Sequence, residues 1–521
     1  MMHHADTLPD ALRLQAKARG AVTALAFEGR RETFAELDAR ASQVANGLRA
    51  AGLAPGSRIA YLGKNSDRYF ELLFGAAKAG VVPVPVNWRL APPEIVYILN
   101  DSAARLLVVG PEFIDVVDRL RPELPLIDVY LTVEDAQPGW QPFASWRDRN
   151  DAADPLLPVA SGDVALQLYT SGTTGRPKGA MLRHVGLTQK MARDMTAWQY
   201  WDASDVGLVA MPIFHIGGTG MGLRALTNGA TAIVAREFNA EQALDSIAND
   251  RITKLFIVPA ALQLLIRHPK ARTIDTSCVK YVMYGAAPIP LDLLREAMGV
   301  FSSGFVQLYG MTETCGSIVA LPPEDHTPEG SPVMRSAGKA MPGTEIEIRD
   351  ENGKPVPSGT IGEIAIRSVS NMAGYWGLEE ATRQTLGDDG WLLSGDAGYL
   401  DKDGYLFIQD RVKDMIISGG ENVYPAEVEN AIFGHPDVAE VAVIGVPDPK
   451  WGEAVKAIVV AKPGTLPSAD DIIAFARTRI AAYKAPKSVD FIDTLPRNPT
   501  GKVLRRILRE PYWKGRDRQV N

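Results

Sequence analysis

Apolar and polar positions along this chain alternate between two periods. "RYFELLFGAAKAG" spaces its apolar residues for a helix and ends on Gly80, so it predicts an amphipathic helix stopped by a glycine cap. "VVPVPV", which follows, and "ARLLVVG" further on are short apolar runs of the kind that form buried strands. Helices alternating with such strands predict an α/β layered core continuing to about residue 320. Segment 150–163 reads as a connection, and the strand "VALQLY" follows it.

Beyond the Pro-rich "LPPEDHTPEGSP" the pattern shortens to strands with turn signals: "TEIEIRDENGKPV", "GEIAIRS" and "GYLDKDGYLFIQD". These predict a β-rich subdomain at about 331–410 within a large domain of residues 1–412. The "DKDG" turn starts like a calcium loop but lacks the later ligands, so it is expected to be a hairpin turn. Residues 413–521 predict a small α+β domain. There "AEVENAIFGHP" and "SADDIIAFARTRIAAY" read as helices, the second capped by Ser468 and Asp471. "VAEVAVIGV" and "AVKAIVVAK" read as strands. The fold class expected is therefore α/β, with a large multi-layered N-terminal domain and a small C-terminal one.

Composition narrows the function classes. With 521 residues, 46% apolar and 22% charged, the chain is an ordinary globular sequence long enough for about three or four domain-sized units. A net charge of −7 disfavours wholesale nucleic-acid binding, so anionic substrates need local basic groups. Cys278 and Cys315 are too far apart in sequence to form a metal-binding pair, which suits a reducing compartment. The N-terminus lacks a secretory layout, and no run reaches the ~18 apolar residues of a membrane span. A cytoplasmic protein is expected.

The chemistry begins at "YTSGTTGRPKG", Tyr169 to Gly179, with three glycines, five hydroxyls and Lys178. A strand feeding such a loop offers backbone N–H groups and hydroxyls to phosphate oxygens. The loop is not the G-x-x-x-x-G-K-[ST] element of common nucleotide hydrolases, and an ordinary polar surface loop is the competing reading. Six further stretches decide between them: "PIFHIGG" (212–218), "YGAAP" (284–288), "QLYGMTETCG" (307–316), "GWLLSGDAGYL" (390–400), "DRVKDMIISGGENVYP" (410–425) and "PRNPTGK" (496–502). In this order they resemble the adenylate-forming enzymes, the family of acyl-CoA synthetases, luciferases and peptide-synthetase adenylation domains. The resemblance runs from about residue 20 to 510.

The resemblance implies a role for each element. Thr170, Ser171, Gly172, Thr173, Thr174, Gly175 and Lys178 would grip the β- and γ-phosphates of ATP, which leave as pyrophosphate. Ala286, Ala287 and Tyr309 would border the adenine, continued by Gly310, Met311 and Thr312, while Asp396 and Arg411 would hold the ribose hydroxyls. Mg²⁺ would sit on Glu313 with Thr312 beside it, and Lys502 would bridge the substrate carboxylate and the α-phosphate. Lys413 occupies the hinge position, and Gly419, Gly420 and Glu421 would form the tunnel for the CoA arm after the C-terminal domain rotates. The implied reaction converts a carboxylate into an acyl-adenylate and passes the acyl group to the thiol of CoA.

His215 stands where amino-acid-activating relatives carry an aspartate, which argues against an amino-acid substrate. It reads either as a group at the carboxylate entrance, with a base role unproven, or as a satisfied structural histidine. His184 reads as structural and Cys315 as packing. Gly310 replaces the tryptophan that closes the pocket of acetate-specific relatives. With Gly217, Gly218, Gly220 and Gly222 it predicts a roomy apolar pocket suited to medium- or long-chain fatty acids, with aryl or alicyclic acids as the alternative. A separate carrier protein is the alternative acceptor, and a non-catalytic binding protein the third class. The basic tail, Arg497 to Arg518 apart from Lys502, reads as a solvated helix face, with contact to a CoA phosphate or peripherally to a lipid surface as the alternative.

Overall fold

The computed structural model describes residues 5–134, 137–170, 176–188, 201–411, 414–418, 421–497 and 503–514. Six parallel strands form the centre of a nine-stranded sheet, in the spatial order Gly304–Met311, Tyr281–Gly285, Lys254–Ile257, Val206–Val209, Thr231–Val234 and Thr23–Phe27. Antiparallel strands close it, Gly316–Leu321 and Lys339–Ala340 on one side and Arg30–Thr33 on the other. A second, wholly parallel sheet orders Val82–Val86, Arg58–Leu62, Ala104–Val109, Val129–Thr132 and Gln141–Pro142. The apolar runs that predicted strands are thus strands, buried because helices cover both faces.

The helix expected from "RYFELLFGAAKAG" is Asp67–Ala79, ended by Gly80 in the left-handed conformation at φ 67°. It is not amphipathic. All of its residues but Arg68 are buried, because it is enclosed between other elements. Its charged residues are paired inside: Lys78 Nζ reaches Asp38 and Asp154 at 2.7 Å each and Ser42 at 2.8 Å, and Glu71 pairs with Arg68 and Arg147. Buried charges persist only with such partners.

The β-rich region is a four-stranded antiparallel sheet of Thr344–Arg349, Gly362–Ser368, Trp391–Leu400 and Leu406–Arg411. The "DKDG" segment is the expected hairpin turn, in which Asp401 Oδ1 accepts the backbone N–H groups of Asp403 and Tyr405 at 2.9 Å each. The C-terminal unit pairs Val438–Asp448 with Gly452–Ala461, flanked by Ile416–Ser418 and Ser488–Phe491. Its helix Ala469–Arg477 is capped by Ser468 as expected but stops short of Tyr483, where Thr478 turns its hydroxyl onto the Phe475 carbonyl at 2.7 Å. The fold is α/β, with a large N-terminal and a small C-terminal domain.

One buried carboxylate is held against its charge. Burial, and then the charge of Glu71, push Glu32 up to about 8 although Arg40 lies 2.9 Å away. A carboxyl that holds its proton more tightly folded than unfolded makes the fold lose stability as pH rises from the ordinary carboxylate range through about 8. Glu32→Gln should therefore raise the melting temperature at pH 8.5 by about 1 °C for each kcal/mol recovered. The advantage should vanish below pH 4.5, as thermal scans across pH will show.

Candidate active site

Strand Val164–Thr170 delivers the phosphate-type loop and Lys178–Arg183 takes the chain away, with Thr170 paired in register to Lys178. The two residues flanking the loop therefore stand side by side. Residues Ser171, Gly172, Thr173, Thr174 and Gly175 lie outside the described residues. A third strand, Gly374–Tyr375, adds antiparallel to the outgoing strand, and Trp376 donates from its N–H to the Gly179 carbonyl at 2.8 Å. The Arg58 guanidinium covers the Trp376 ring at 3.5 Å, which fastens this remote segment to the hairpin.

The short turn Thr312–Thr314 at the end of strand Gly304–Met311 carries Glu313, which is buried. Tyr375 donates its hydroxyl to Glu313 Oε1 at 2.8 Å, and the Thr170 hydroxyl lies 3.5 Å from the same oxygen. Among the described residues no group of three or more His, Cys, Asp or Glu could form a self-contained metal site. A buried carboxylate 3.5 Å from Thr170, where the phosphate-type loop begins, fits Mg²⁺, a hard cation usually held by one or two carboxylates together with substrate phosphates.

On the nucleotide side, Tyr309 donates its hydroxyl to Asp396 Oδ2 at 2.8 Å. Asp396 and Arg411 are direct register partners on adjacent strands, so the two expected ribose contacts come from neighbouring positions. Ala286 adopts a left-handed conformation at φ 64°, and with Ala287 it lines a cleft whose opposite wall is helix Pro425–Phe433. Glu363, which the sequence did not single out, accepts the Gly395 N–H at 2.9 Å beside Asp396, and burial raises its carboxyl above the ordinary range.

His215 precedes helix Ile216–Thr227. Its loop is fixed by Asn65, whose amide donates to the carbonyls of Met211 and Ala235 and accepts the Ile213 N–H. Thr219 adds a 2.5 Å bond to the Ile213 carbonyl and meets the Tyr69 hydroxyl at 2.9 Å. The imidazole packs edge-on against Phe214, and its buried Nε2 has no hydrogen-bond partner among the described residues. Burial, then the charge of Arg89, push it down to about 3, so it is neutral at physiological pH. The satisfied structural histidine is His184 instead, whose Nδ1 accepts the Leu8 N–H.

These features match known proteins. The family described as "AMP-binding enzyme" matches residues 12–376, and its C-terminal domain matches residues 427–502. The chain belongs to the AMP-binding enzymes. Within them it is an adenylate-forming acid–thiol ligase of the AMP-forming acyl-CoA synthetase group. It is 42% identical to the fatty acid–[acyl-carrier-protein] ligase ScoC of Streptomyces coeruleorubidus, over 100% of this chain and 99% of that one. It is also 42% identical to a feruloyl-CoA synthase of an Amycolatopsis species, covering 94% and 96% of the two chains. The structure of the anthranilate CoA ligase AuaEII with anthranoyl-AMP superposes with a TM-score of 0.89 at 28% identity, covering 98% of each chain.

For an AMP-binding enzyme, four of the five glycines read as pocket openings have other reasons. A Cβ on Gly310 would lie 2.0 Å from the Gly316 carbonyl oxygen, at a register shift between strands Gly304–Met311 and Gly316–Leu321. A Cβ on Gly218 would lie 2.3 Å from the Pro212 oxygen, and Gly222 faces the Phe70 ring. Those positions are glycine because the backbone or a ring approaches. A Cβ on Gly217 would likewise lie 2.8 Å from the Phe256 ring, so of these glycines the half-buried Gly220, with Ile216 no nearer than 3.8 Å, remains as the open side of the helix.

Lys413, Gly419, Gly420 and Lys502 lie outside the described residues, and Glu421 starts the short strand Glu421–Val423. The tail is not simply solvated. Arg505 pairs with Glu429 at 2.7 Å, Arg509 with Asp414 at 3.1 Å and Arg497 with Glu440 at 2.6 Å. Cys315 is buried against Gly186, as packing predicts.

Substitution separates the two kinds of glycine. Gly218→Ala should cost about 1–3 kcal/mol in a denaturant titration and lower activity on every acid alike. Gly220→Ala should keep stability or raise it by up to about 1 kcal/mol, and should change the ranking of acids in a substrate panel instead.

Proposed function

We propose that this ligase activates a hydrophobic carboxylic acid, a medium- or long-chain fatty acid first, with Mg-ATP and transfers the acyl group to CoA. The observation that carries the reading is the wall at the start of helix Ile216–Thr227. Gly217 stands there against the Phe256 ring, Ile216 lies beside Gly220, and the charge acting on His215 is the cation Arg89 and not a carboxylate. Such a wall accepts an apolar acid and offers nothing to a substrate ammonium. It discriminates weakly between neighbouring chain lengths. An aryl acid is the second reading, and the feruloyl and anthranilate ligases among its relatives agree with it. The full-length similarity to a carrier-protein ligase favours a carrier protein as the alternative acceptor.

In this reading the loop from Thr170 to Lys178 takes the two terminal phosphates, and Lys178 supplies a point charge that steadies the leaving pyrophosphate. Glu313, with Thr312 beside it, would hold Mg²⁺, which supplies charge neutralisation between the phosphate oxygens. Asp396 and Arg411 fix the ribose, and Ala286, Ala287 and Tyr309 border the base, so the α-phosphate faces the acid. Lys502 would lie between carboxylate and α-phosphate while the new P–O bond forms and the bond to pyrophosphate breaks. With its pKa near 3, His215 serves as a neutral wall of the carboxylate entrance and not as a base. Rotation about Lys413 would then withdraw Lys502 and bring Gly419, Gly420 and Glu421 alongside the thiol's path. The thiolate attacks the acyl carbon, and AMP leaves.

Lys502→Ala should reduce adenylation, read by acid-dependent pyrophosphate release, by about 10²–10³-fold while ATP binding changes little. Mass-spectrometric product analysis with Mg-ATP and acids of graded length, with and without CoA, tests the acid and the acceptor together. AMP with an acyl-CoA is expected. Acyl-adenylate that forms thioester only on a carrier protein would replace CoA as the acceptor, and ADP would contradict the mechanism.

A further inference from the structure

Tyr375 lies outside every stretch that carries the family resemblance, yet it touches three parts of the phosphate site. Its hydroxyl donates to Glu313 Oε1 at 2.8 Å. An ionised carboxylate only accepts, so the donor is the phenol. Its ring lies 5.0 Å from the Lys178 ammonium. Its backbone is in register with Ala180, two residues beyond that lysine. The segment around it is tied to the same groups through the main chain: Met372 N–H donates to the Glu313 carbonyl at 2.7 Å, and Ala373 N–H to the Met181 carbonyl at 2.8 Å. Thr382 Oγ1 accepts the Tyr375 N–H at 2.9 Å, which sets where the ring starts.

We propose that Tyr375 is a positioning residue that locks the Glu313 carboxylate to the phosphate-loop hairpin, so that Glu313 presents its other oxygen to the cation of the bound nucleotide. The proposal rests on the adenylation reading above. A carboxylate free to rotate must be ordered when the metal arrives, and one oxygen already bonded to a fixed phenol removes that cost. Tyr375 thereby couples two positive elements of the site, since the ring that carries the hydroxyl also sits beside Lys178. Hydrogen-bonding groups behind a metal ligand typically change metal affinity by about 10–100-fold.

The test compares Tyr375→Phe, which keeps the ring, with Tyr375→Leu, which removes it. ATP dissociation constants are measured calorimetrically without acid, once with excess EDTA and once with saturating Mg²⁺. The Mg-dependent tightening of ATP should shrink about tenfold in Tyr375→Phe, with metal-free ATP affinity and melting temperature unchanged. Tyr375→Leu should lose the same tightening and also weaken metal-free ATP binding, because Lys178 loses its ring. Equal tightening in Tyr375→Phe and the unsubstituted enzyme would overturn the proposal alone. So would a matching loss of metal-free affinity in Tyr375→Phe, which marks a general structural role. No Mg-dependent tightening in the unsubstituted enzyme would overturn the adenylation reading and this proposal with it.

Discussion

Bringing a carboxylate against a triphosphate sets the terms for the rest of this structure. Two unit charges of like sign 4 Å apart repel by about 4 kcal/mol at an effective dielectric of 20, and the reacting groups must come closer. The chain meets that repulsion by collecting donors and cations from segments far apart in sequence. In the proposed reading Lys178 would act from the hairpin, Glu313 would hold the cation at the turn after a sheet strand, and Lys502 would come from the C-terminal part of the sequence. Thr170 at the start of the loop and Glu313 after its sheet strand end within 3.5 Å of each other.

The same requirement accounts for the internal bracing. Tyr309 joins the adenine-side strand to Asp396, 87 residues away, and Tyr375 joins the β-rich region to Glu313, 62 residues away. Asn65 fixes the approach to His215 across 148 residues. None of these side chains needs to touch a reacting atom. Each removes freedom from a group that the proposed reading sets against the nucleotide or the acid, and preorganisation of this kind is where an enzyme gains most against charge in the transition state.

The fold was largely legible because its signals are local. The glycine stop after Ala79, the apolar strands, the Ser468 cap and the Asp401 turn each depend on a few adjacent residues. The family was legible where ordered motifs carry it. What the sequence hid depends on approach in space. Tyr375, Asn65 and Glu363 sit in unremarkable contexts and acquire their roles only through pairing across the chain. Gly310 and Gly218 misled for the same reason: a missing side chain looks like an open pocket until the carbonyl occupying that space is seen. The buried charges of Asp67–Ala79 read as one face of an amphipathic helix because their partners come from other elements.

Isotope transfer tests the central claim most directly, that the acid is activated by attack of its own oxygen on the α-phosphate. A carboxylic acid labelled with ¹⁸O in both oxygens is turned over with Mg-ATP and CoA, and the products are weighed by mass spectrometry. The mechanism predicts one ¹⁸O in AMP, one in the thioester carbonyl and none in pyrophosphate. Label in an inorganic phosphate product, or AMP free of label, would contradict it.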